Sequence, residues 1–493
     1  MTDLLHRILP GVQKPARYTG GEFNEIQKDP DSVRVNVAFC FPDTYEIGMS
    51  NVGMRILYGV MNEMEGVWCQ RVFHPWGDME AEMRKHGLPL WALESRKAVK
   101  DFDMIAFTIG YEMAYTSIVN MLDLAGVPIY AKDRHDLNQM VFAGGVCTFN
   151  PEPLAPFFDF FSLGEGEEST VEIVSLYDKA KCEGWSKEQF LLEVSKIEGV
   201  YVPSFYEHIY NEDGTLREII AREGQPSVHT KRIVEDLDKA YYPTNTIVPS
   251  TEIVHDRTNI ELFRGCIRGC RFCQAGYSCR PVRRKSAAVA CKQAIDSLEN
   301  SGANEITLSS LSTSDYRDLK ELTDELIPYC ERSHVSLSVP SLRADNFSRD
   351  LMQRLQTGKK SGLTFAPEAG SQRLRDVINK NQTEEEILAT CENAFSGGWS
   401  NVKLYFMLGL PTETDEDVLA IADLVYKIIL KWKEFGSAKK RGLRIHVATA
   451  FFVPKPHTPF QWEQQITMEE YLRRCKLLKS HFYSKSIEYN YHE

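Results

Sequence analysis

The stretch Ile260-Glu-Leu-Phe-Arg-Gly-Cys266-Ile-Arg-Gly-Cys270-Arg-Phe-Cys273 runs from a short apolar segment straight into three cysteines spaced Cys-x3-Cys-x2-Cys. A short apolar run closed by turn residues reads as a buried strand, which puts the cysteines on the loop at its carboxyl end. Gly265 and Gly269 give that loop the backbone freedom to wrap closely around a bulky group. Three thiolates on one loop can take three corners of a 4Fe-4S cube and leave one iron open. A zinc site is the alternative; it usually needs four protein ligands, often in two spaced pairs, and Cys279 is the only nearby fourth. Chance clustering of buried thiols is the second alternative.

Around the triplet stand Arg264, Arg268, Arg271, Arg280, Arg283, Arg284 and Lys285, with no acidic residue among them. The chain as a whole carries a net charge of −12, which argues against broad, sequence-independent nucleic-acid binding. The local reversal of sign favours an anionic substrate or an acidic partner at this loop.

Downstream, apolar runs at 305–309, 335–339, 362–366, 401–407 and 444–449 alternate with helical stretches, one of which opens on the capping box Thr383/Glu386. With 260–264 they make six βα steps, which suit a complete or partial (βα)6 barrel of TIM type. Upstream, strands are expected at 33–40, 70–73, 103–109, 140–143 and 158–163, with helical spacing at 53–64, 113–124 and 169–180. This is the alternation of an α/β, doubly wound, Rossmann-type domain, whose ligands sit beyond the carboxyl ends of its strands. A hairpin over 199–220 turns at Asp213-Gly214, and 236–249 reads as a connector. The expected organisation is a tail over 1–20, the doubly wound domain over 21–195, a hairpin and linker over 196–250, the barrel over 251–485 and a C-terminal end over 486–493.

No apolar stretch approaches the roughly 18 residues that cross a bilayer, and the first residues lack the apolar core of a signal peptide. A cytoplasmic location is expected, where the 12 cysteines would not persist as disulfides.

The triplet with an aromatic residue, Phe272, before its last cysteine resembles the signature of the radical S-adenosylmethionine superfamily. The longer string from Arg264 to Tyr277, with Arg280-Pro281 following, is similar to the branch that joins a cobalamin-binding-like N-terminal domain to the radical barrel, an uncharacterised group related to the methylthiotransferases. Supporting strings are Glu305-Ile-Thr-Leu-Ser309, Ser338-Val-Pro-Ser-Leu-Arg343, Phe365-Ala-Pro-Glu368-Ala-Gly370, Gly409-Leu-Pro411-Thr-Glu413 and Phe452-Val-Pro454 to Phe460. The resemblance implies a 4Fe-4S cluster on Cys266, Cys270 and Cys273 with Phe272 beside it, and S-adenosylmethionine chelated to the open iron. Glu368 would contact the ribose of S-adenosylmethionine, since a carboxylate can accept from two hydroxyls; the other reading is an acid at a helix N-terminus. Ser309, Ser338 and Arg343 are candidates for its methionine carboxylate and adenosine, against the plain reading of turn residues.

Such chemistry requires an electron donor of flavodoxin or ferredoxin type and ends in a 5′-deoxyadenosyl radical that takes a hydrogen from substrate. The substrate, whether RNA, protein or a small molecule, is not legible, and no catalytic residue beyond the cofactor site is identified. In the N-terminal domain Asp43-Thr44-Tyr45-Glu46-Ile47-Gly48 resembles the Asp-x-His-x-x-Gly loop of cobalamin-binding domains, with tyrosine in the histidine position. Gly144 and Gly145 lie where those domains let the backbone approach the nucleotide tail. Tyrosine is a poor cobalt ligand at neutral pH, so cobalamin stays open, and with it cobalamin-dependent methyl transfer. Methylthiolation requires a second cluster, and Cys40, Cys69, Cys147 and Cys182 do not follow that family's spacing. The alternative of another class is a non-catalytic iron-sulfur carrier or sensor. Chains of this kind usually run on past the position of Glu493, so a truncated form is expected.

Overall fold

The computed structural model describes residues 2–339, 363–436 and 442–492. Two compact units emerge, one built from Met1–Glu235 with Lys239–Asp256 and Glu299–Ser301, the other from Asp236–Asp238, Arg257–Leu298 and Gly302–Glu493.

The first unit is organised by β1 (Val35–Phe41), β2 (Val67–Phe73), β3 (Met104–Thr108), β4 (Met140–Gly144), β5 (Phe160–Ser162) and β6 (Val200–Tyr201). Their spatial order is β2-β1-β3-β4-β5-β6, parallel except for the antiparallel edge strand β6. A parallel sheet is covered on both faces, which is why these strands read as nearly unbroken apolar runs. The period of two sorts them: Val35, Val37, Phe39 and Phe41 enter one core, Ala38 and Cys40 the other. Helices Val52–Glu63 and Gly166–Glu183 close the first core and Tyr115–Ala125 the second, so the sheet is doubly wound as expected. The order turns back between β1 and β3, and in such sheets the ligand crevice lies beyond the carboxyl ends at that point.

Residues 1–20, expected as a tail, are packed. Thr2–Ile8 is helical, and Leu5, Ile8, Val12 and Tyr18 are buried in the second core. Within the helix, Leu5 and Ile8 stand one turn apart on the covered face. The hairpin pairs β7 (Tyr206–Tyr210) with β8 (Leu216–Ala221), and Gly214 takes the left-handed conformation its turn requires, at φ +80°.

The second unit carries β9 (Thr258–Glu261), β10 (Phe263–Arg264), β11 (Arg283–Arg284), β12 (Glu305–Ser309), β13 (Ser336–Ser338), β14 (Leu363–Glu368), β15 (Asn401–Leu408), β16 (Arg444–Phe451) and β17 (Ile487–Tyr491). Parallel strands form the sheets β13-β12-β9 and β14-β15-β16-β17, the strand pattern of a partial barrel. Helices Glu384–Ser396, Asp415–Phe435 and Met468–Lys479 pack on one face of the larger sheet, against Val402, Leu404, Phe406, Leu408, Ile445 and Val447. Between them on β15, Lys403 and Tyr405 point to the other, exposed face. In the segment expected only as an end, Ile487–Tyr491 forms β17, the seventh parallel strand among the described residues of this unit, in register with β16 through Ile445 and Ile487. Arg343 lies outside the described residues.

Candidate active site

The cysteine loop hangs from β10 and β11, which pair antiparallel through Phe263 with Arg284 and Arg264 with Arg283. It is thus the closed end of a long hairpin that leaves the barrel directly after β9. Gly265 has φ +90°, and a Cβ there would meet the carbonyls of Cys279 and Pro281 at 2.6 and 2.9 Å. At Gly276 a Cβ would stand 2.4 Å from the Arg268 carbonyl. Only glycine lets the two limbs of the loop come this close.

Inside the loop the backbone has little regular structure, so its carbonyls need partners from elsewhere. The Arg280 guanidinium supplies three: Nε donates to Cys266 O at 3.3 Å, and Nη2 to Ile267 O and Arg268 O, each at 3.2 Å. Gly269 O accepts from Asn379 Nδ2 at 2.8 Å and from the Tyr277 hydroxyl at 3.2 Å. Arg271 N donates to Ile378 O at 3.0 Å, and Phe460 N donates to Arg271 O at 3.2 Å. The loops after β14 and β16 therefore hold the cysteine loop from two sides. Phe272 packs beside Ala369, Leu374, Ile378 and Phe460, next in space to the end of β14.

Cys270 is buried, while Cys266 and Cys273 are half-buried, and none of the three forms a disulfide. Among the described residues no three His, Cys, Asp or Glu side chains converge on a point where one metal ion would sit.

The basic run turns largely inward. Arg264 pairs with Glu261 at 2.9 Å and Arg268 with Asp315 at 2.8 Å. Lys285 is buried with its Nζ on Gln293, Arg271 reaches Val377 O, and Arg283 reaches Pro281 O. Arg271, Arg280 and Arg284 nevertheless remain exposed, so the loop keeps a positive surface.

Glu368 ends β14 just after a bulge: Phe365 pairs with Leu404 and Glu368 with Phe406, one residue extra on β14. The bulge re-aims the carboxylate, and the residue itself adopts φ +68°. Thr412 after β15 and His457 after β16 have φ +66° and +61°. Non-glycine residues held in this region mark loops whose shape is imposed, and three successive carboxyl-end loops carry one each. Ser309 and Ser338 end β12 and β13, both half-buried, with Ser338 in register with Thr307. Lys380, which nothing in the local sequence singled out, reaches Glu368 Oε1 at 3.1 Å.

In the first unit, Asp43 and Tyr111 meet across the crevice at the ends of β1 and β3, the Tyr111 hydroxyl donating to Asp43 Oδ2. Tyr45, which stands in the histidine position of the cobalamin-type loop, is buried: its ring lies edge-on to Phe73 and its hydroxyl donates to Glu22. A Cβ on Gly48 would stand 2.3 Å from the Phe73 ring, so this glycine serves core packing. Gly145 has φ +107°, and a Cβ there would stand 2.6 Å from the Ile109 carbonyl oxygen, whereas a Cβ on Gly144 would meet nothing nearer than Ser162 O at 3.6 Å. Cys40 and Cys69 lie in opposite cores of the sheet, Cys182 is exposed, and Cys147 is half-buried against the core that holds Cys40.

Residues 53–203 match the family described as radical SAM proteins, N-terminal, and residues 260–425 match the radical SAM superfamily. An uncharacterized protein of Methanocaldococcus jannaschii is 29% identical over 432 residues, 87% of this chain and 80% of that one. The tRNA-2-methylthio-N(6)-dimethylallyladenosine synthase of Thermotoga petrophila is 27% identical over 231 residues, 44% of this chain and 48% of that one. The structure of TsrM from Kitasatospora setae, a radical S-adenosylmethionine methyltransferase solved with cobalamin and a [4Fe-4S] cluster, aligns with TM-score 0.54 at 13% identity over 87% of this chain and 74% of that one. The two family models thus match in chain order, one in each unit, and the chain belongs to the radical S-adenosylmethionine superfamily.

Proposed function

We propose that Cys266, Cys270 and Cys273 hold the three ligated irons of a 4Fe-4S cluster, and that the carboxyl-end loops of β12 and β14 hold S-adenosylmethionine at the fourth. The observation that carries this reading is the cysteine loop itself. Three thiols share one turn whose backbone carbonyls are held by Arg280, Asn379 and Tyr277. When bound, the reduced cluster would supply the one electron that cleaves the sulfonium of S-adenosylmethionine to methionine and a 5′-deoxyadenosyl radical, the group that would take a hydrogen atom from substrate. The protein's part is to shape the loop, orient the nucleoside through Glu368 and exclude water. Ser309 and Ser338 are positioned for the methionine carboxylate or the adenosine. The test is anaerobic: iron and sulfide per chain in the wild type and in Cys266→Ala, Cys270→Ala and Cys273→Ala, with 5′-deoxyadenosine as the product measured after reduction. Full iron in the triple variant would overturn the assignment.

A second reading, methyl transfer through cobalamin, is favoured by the strand order of the first unit and by the cobalamin held in the TsrM structure. The β1 loop supplies no imidazole, and Tyr45 is occupied with Glu22. Cobalamin here would be held by packing along the crevice edge near Asp43, Tyr111 and Gly144, with no side chain from this loop on cobalt. Methylthiolation has less support, because a second cluster needs cysteines that come together.

The electron donor is of flavodoxin or ferredoxin type in this reading. Exposed Arg271, Arg280 and Arg284 suit an acidic carrier or an anionic substrate. No helix among the described residues is long and apolar enough to cross a membrane. A cytoplasmic setting suits twelve cysteines that form no disulfide.

A further inference from the structure

Helices cover one face of the sheet β14-β15-β16-β17, and in a βα barrel the helices form the outer ring, so the helix-free face is the inner one. Barrel interiors are filled mostly by bulky branched side chains. This face is not. Lys403, His446 and Glu488 stand in register across β15, β16 and β17, and Tyr405, Ala448 and Asn490 form the next row toward the carboxyl ends. Met407 follows on the same face of β15, by the strand's period of two. It packs against the small core of Ala369, Leu374 and Phe460 that also receives Phe272 of the cysteine loop. The inner face of β15 therefore descends from that loop. Two residues of strand span ~6.6 Å, so Tyr405 lies about that far along the strand from Met407, and Lys403 about 13 Å.

Two side chains on this face are without partners. Lys403 is exposed and, among the described residues, makes no hydrogen bond or ion pair. Its neighbour His446 is engaged by Glu488, Nδ1 to Oε2 at 3.0 Å, so that carboxylate does not serve the lysine. The Tyr405 residue is 46% exposed, and beside it on β16 stands only the short side chain of Ala448. A free cation and an open aromatic ring thus sit two residues apart, on the face that begins at the cysteine loop.

We propose that this face binds the substrate of the radical reaction, and that the substrate is a planar ring carrying an anionic group, phosphate or carboxylate. The ring stacks on Tyr405, and the anion pairs with Lys403, a point charge on a flexible stem. Strand order sets the orientation: the ring lies toward the cysteine loop and the anion deeper. The inference rests on the placement of the cluster and S-adenosylmethionine given above. The plain alternative is a solvated lysine and tyrosine at the open side of a partial barrel, which requires no ligand.

The experiment uses the full chain with its cluster oxidised and S-adenosylmethionine at saturation, so that the nucleoside site is filled. Equilibrium dialysis follows adenosine, guanosine and uridine 5′-monophosphates in one arm and benzoate and naphthoate in the other, with ribose 5-phosphate and acetate as anions lacking the ring. The expected result is saturable binding in one arm, weakened by salt and at least tenfold weaker for the ringless anion. Lys403→Met and Tyr405→Leu are each expected to weaken binding at least fivefold, with Lys403→Arg within threefold of wild type. Iron per chain should match the wild type in all three, because both side chains are exposed. Absence of saturable binding in both arms overturns the proposal. So does full-strength binding in either Lys403→Met or Tyr405→Leu. Should Lys403→Met fail to hold its iron, salt dependence decides the lysine's part, and wild-type binding indifferent to salt overturns it. 5′-Deoxyadenosine formed by the reduced wild type separates the two failures: if none forms, the placement of the cofactors fails, and if it forms while no probe binds, this inference alone fails.

Discussion

Lys380 Nζ stands 3.1 Å from Glu368 Oε1, and both side chains are mostly buried in the barrel unit. The pairing gives Glu368 a charged partner besides the helix N-terminus that follows it. The next helix, Gln372–Val377, has no acid in its first turn, and its cap is Ser371, whose Oγ accepts from Leu374 N at 3.1 Å. Glu368 lies before that cap, aimed by a bulge and tethered by a lysine.

Glu368→Ala is expected to weaken S-adenosylmethionine binding at least tenfold and to leave the cluster's iron content and absorbance unchanged. Two hydrogen bonds to a charged acceptor, at about 1.5 kcal/mol or more each, are enough for that. Lys380→Met is expected to have a smaller effect of the same sign, since it frees the carboxylate without removing it. Equilibrium dialysis of both variants checks the order; equal affinity for wild type and Glu368→Ala would return Glu368 to a structural role.

Arg280 is exposed at the rim of the cysteine loop, yet it carries three loop carbonyls. Arg280→Ala is expected to lower the iron retained per chain after anaerobic desalting. Arg280→Lys should recover only part of it, because an ammonium is not a planar fork. Global stability should change by well under 1 kcal/mol, as for other exposed polar contacts. Iron retention identical in all three proteins would mean that Gly265 and Gly276 shape the loop unaided.

Much of this architecture was legible because a parallel sheet covered on both faces has to be written in apolar runs. Strands β1 to β5, β12, β15 and β16 each fall on a run noted in the sequence, and Thr383 with Glu386 forms the capping box their spacing predicts. The cysteine loop was legible through its spacing, a local property. What escaped was tertiary. Lys380 meets Glu368 only through the turn at Asn379 and Asn381, both left-handed. The sequence Ile487-Glu-Tyr-Asn-Tyr491 becomes a strand only because β16 offers it an edge. Gly144 and Gly145 look alike as letters, and only the backbone separates the open position from the one locked against Ile109. Tyr45 sits at a histidine's position in a loop motif, but its ring was claimed by Phe73 and Glu22.

Tyr45→Phe is accordingly expected to act on stability and not on cobalamin. It leaves Glu22 Oε1 without its buried donor, a loss of about 1 to 3 kcal/mol. Hydroxocobalamin affinity and the cobalt spectrum should be those of the wild type. Tyr45→His should give no imidazole-ligated cobalt spectrum, because the position faces inward. An altered cobalt spectrum in either variant would show that the loop turns outward when the cofactor binds.

Glu413, in the loop after β15, gives the pH dependence of the barrel unit a definite sign. Its carboxylate is buried, accepts from Gly409 N at 2.6 Å and meets Arg474, yet burial outweighs these contacts and pushes its pKa up to about 7. In the unfolded chain the group titrates near ~4.3. Between those two values the folded state holds a proton that the unfolded state has released. The stabilisation is therefore complete below about pH 4.3, declines as pH rises and is gone once pH passes the folded value. The slope approaches about 1.4 kcal/mol per pH unit for one proton, with a ceiling of roughly 4 kcal/mol over the window. Glu413→Gln keeps an acceptor for Gly409 N–H and removes the titration. Arg474 retains Glu470 at 2.8 Å, so it is not stranded by the change. Urea unfolding followed at pH 5, 6 and 7 should give a wild-type midpoint that falls with pH and a Glu413→Gln midpoint that falls less. Parallel pH profiles for the two proteins would sink the assignment.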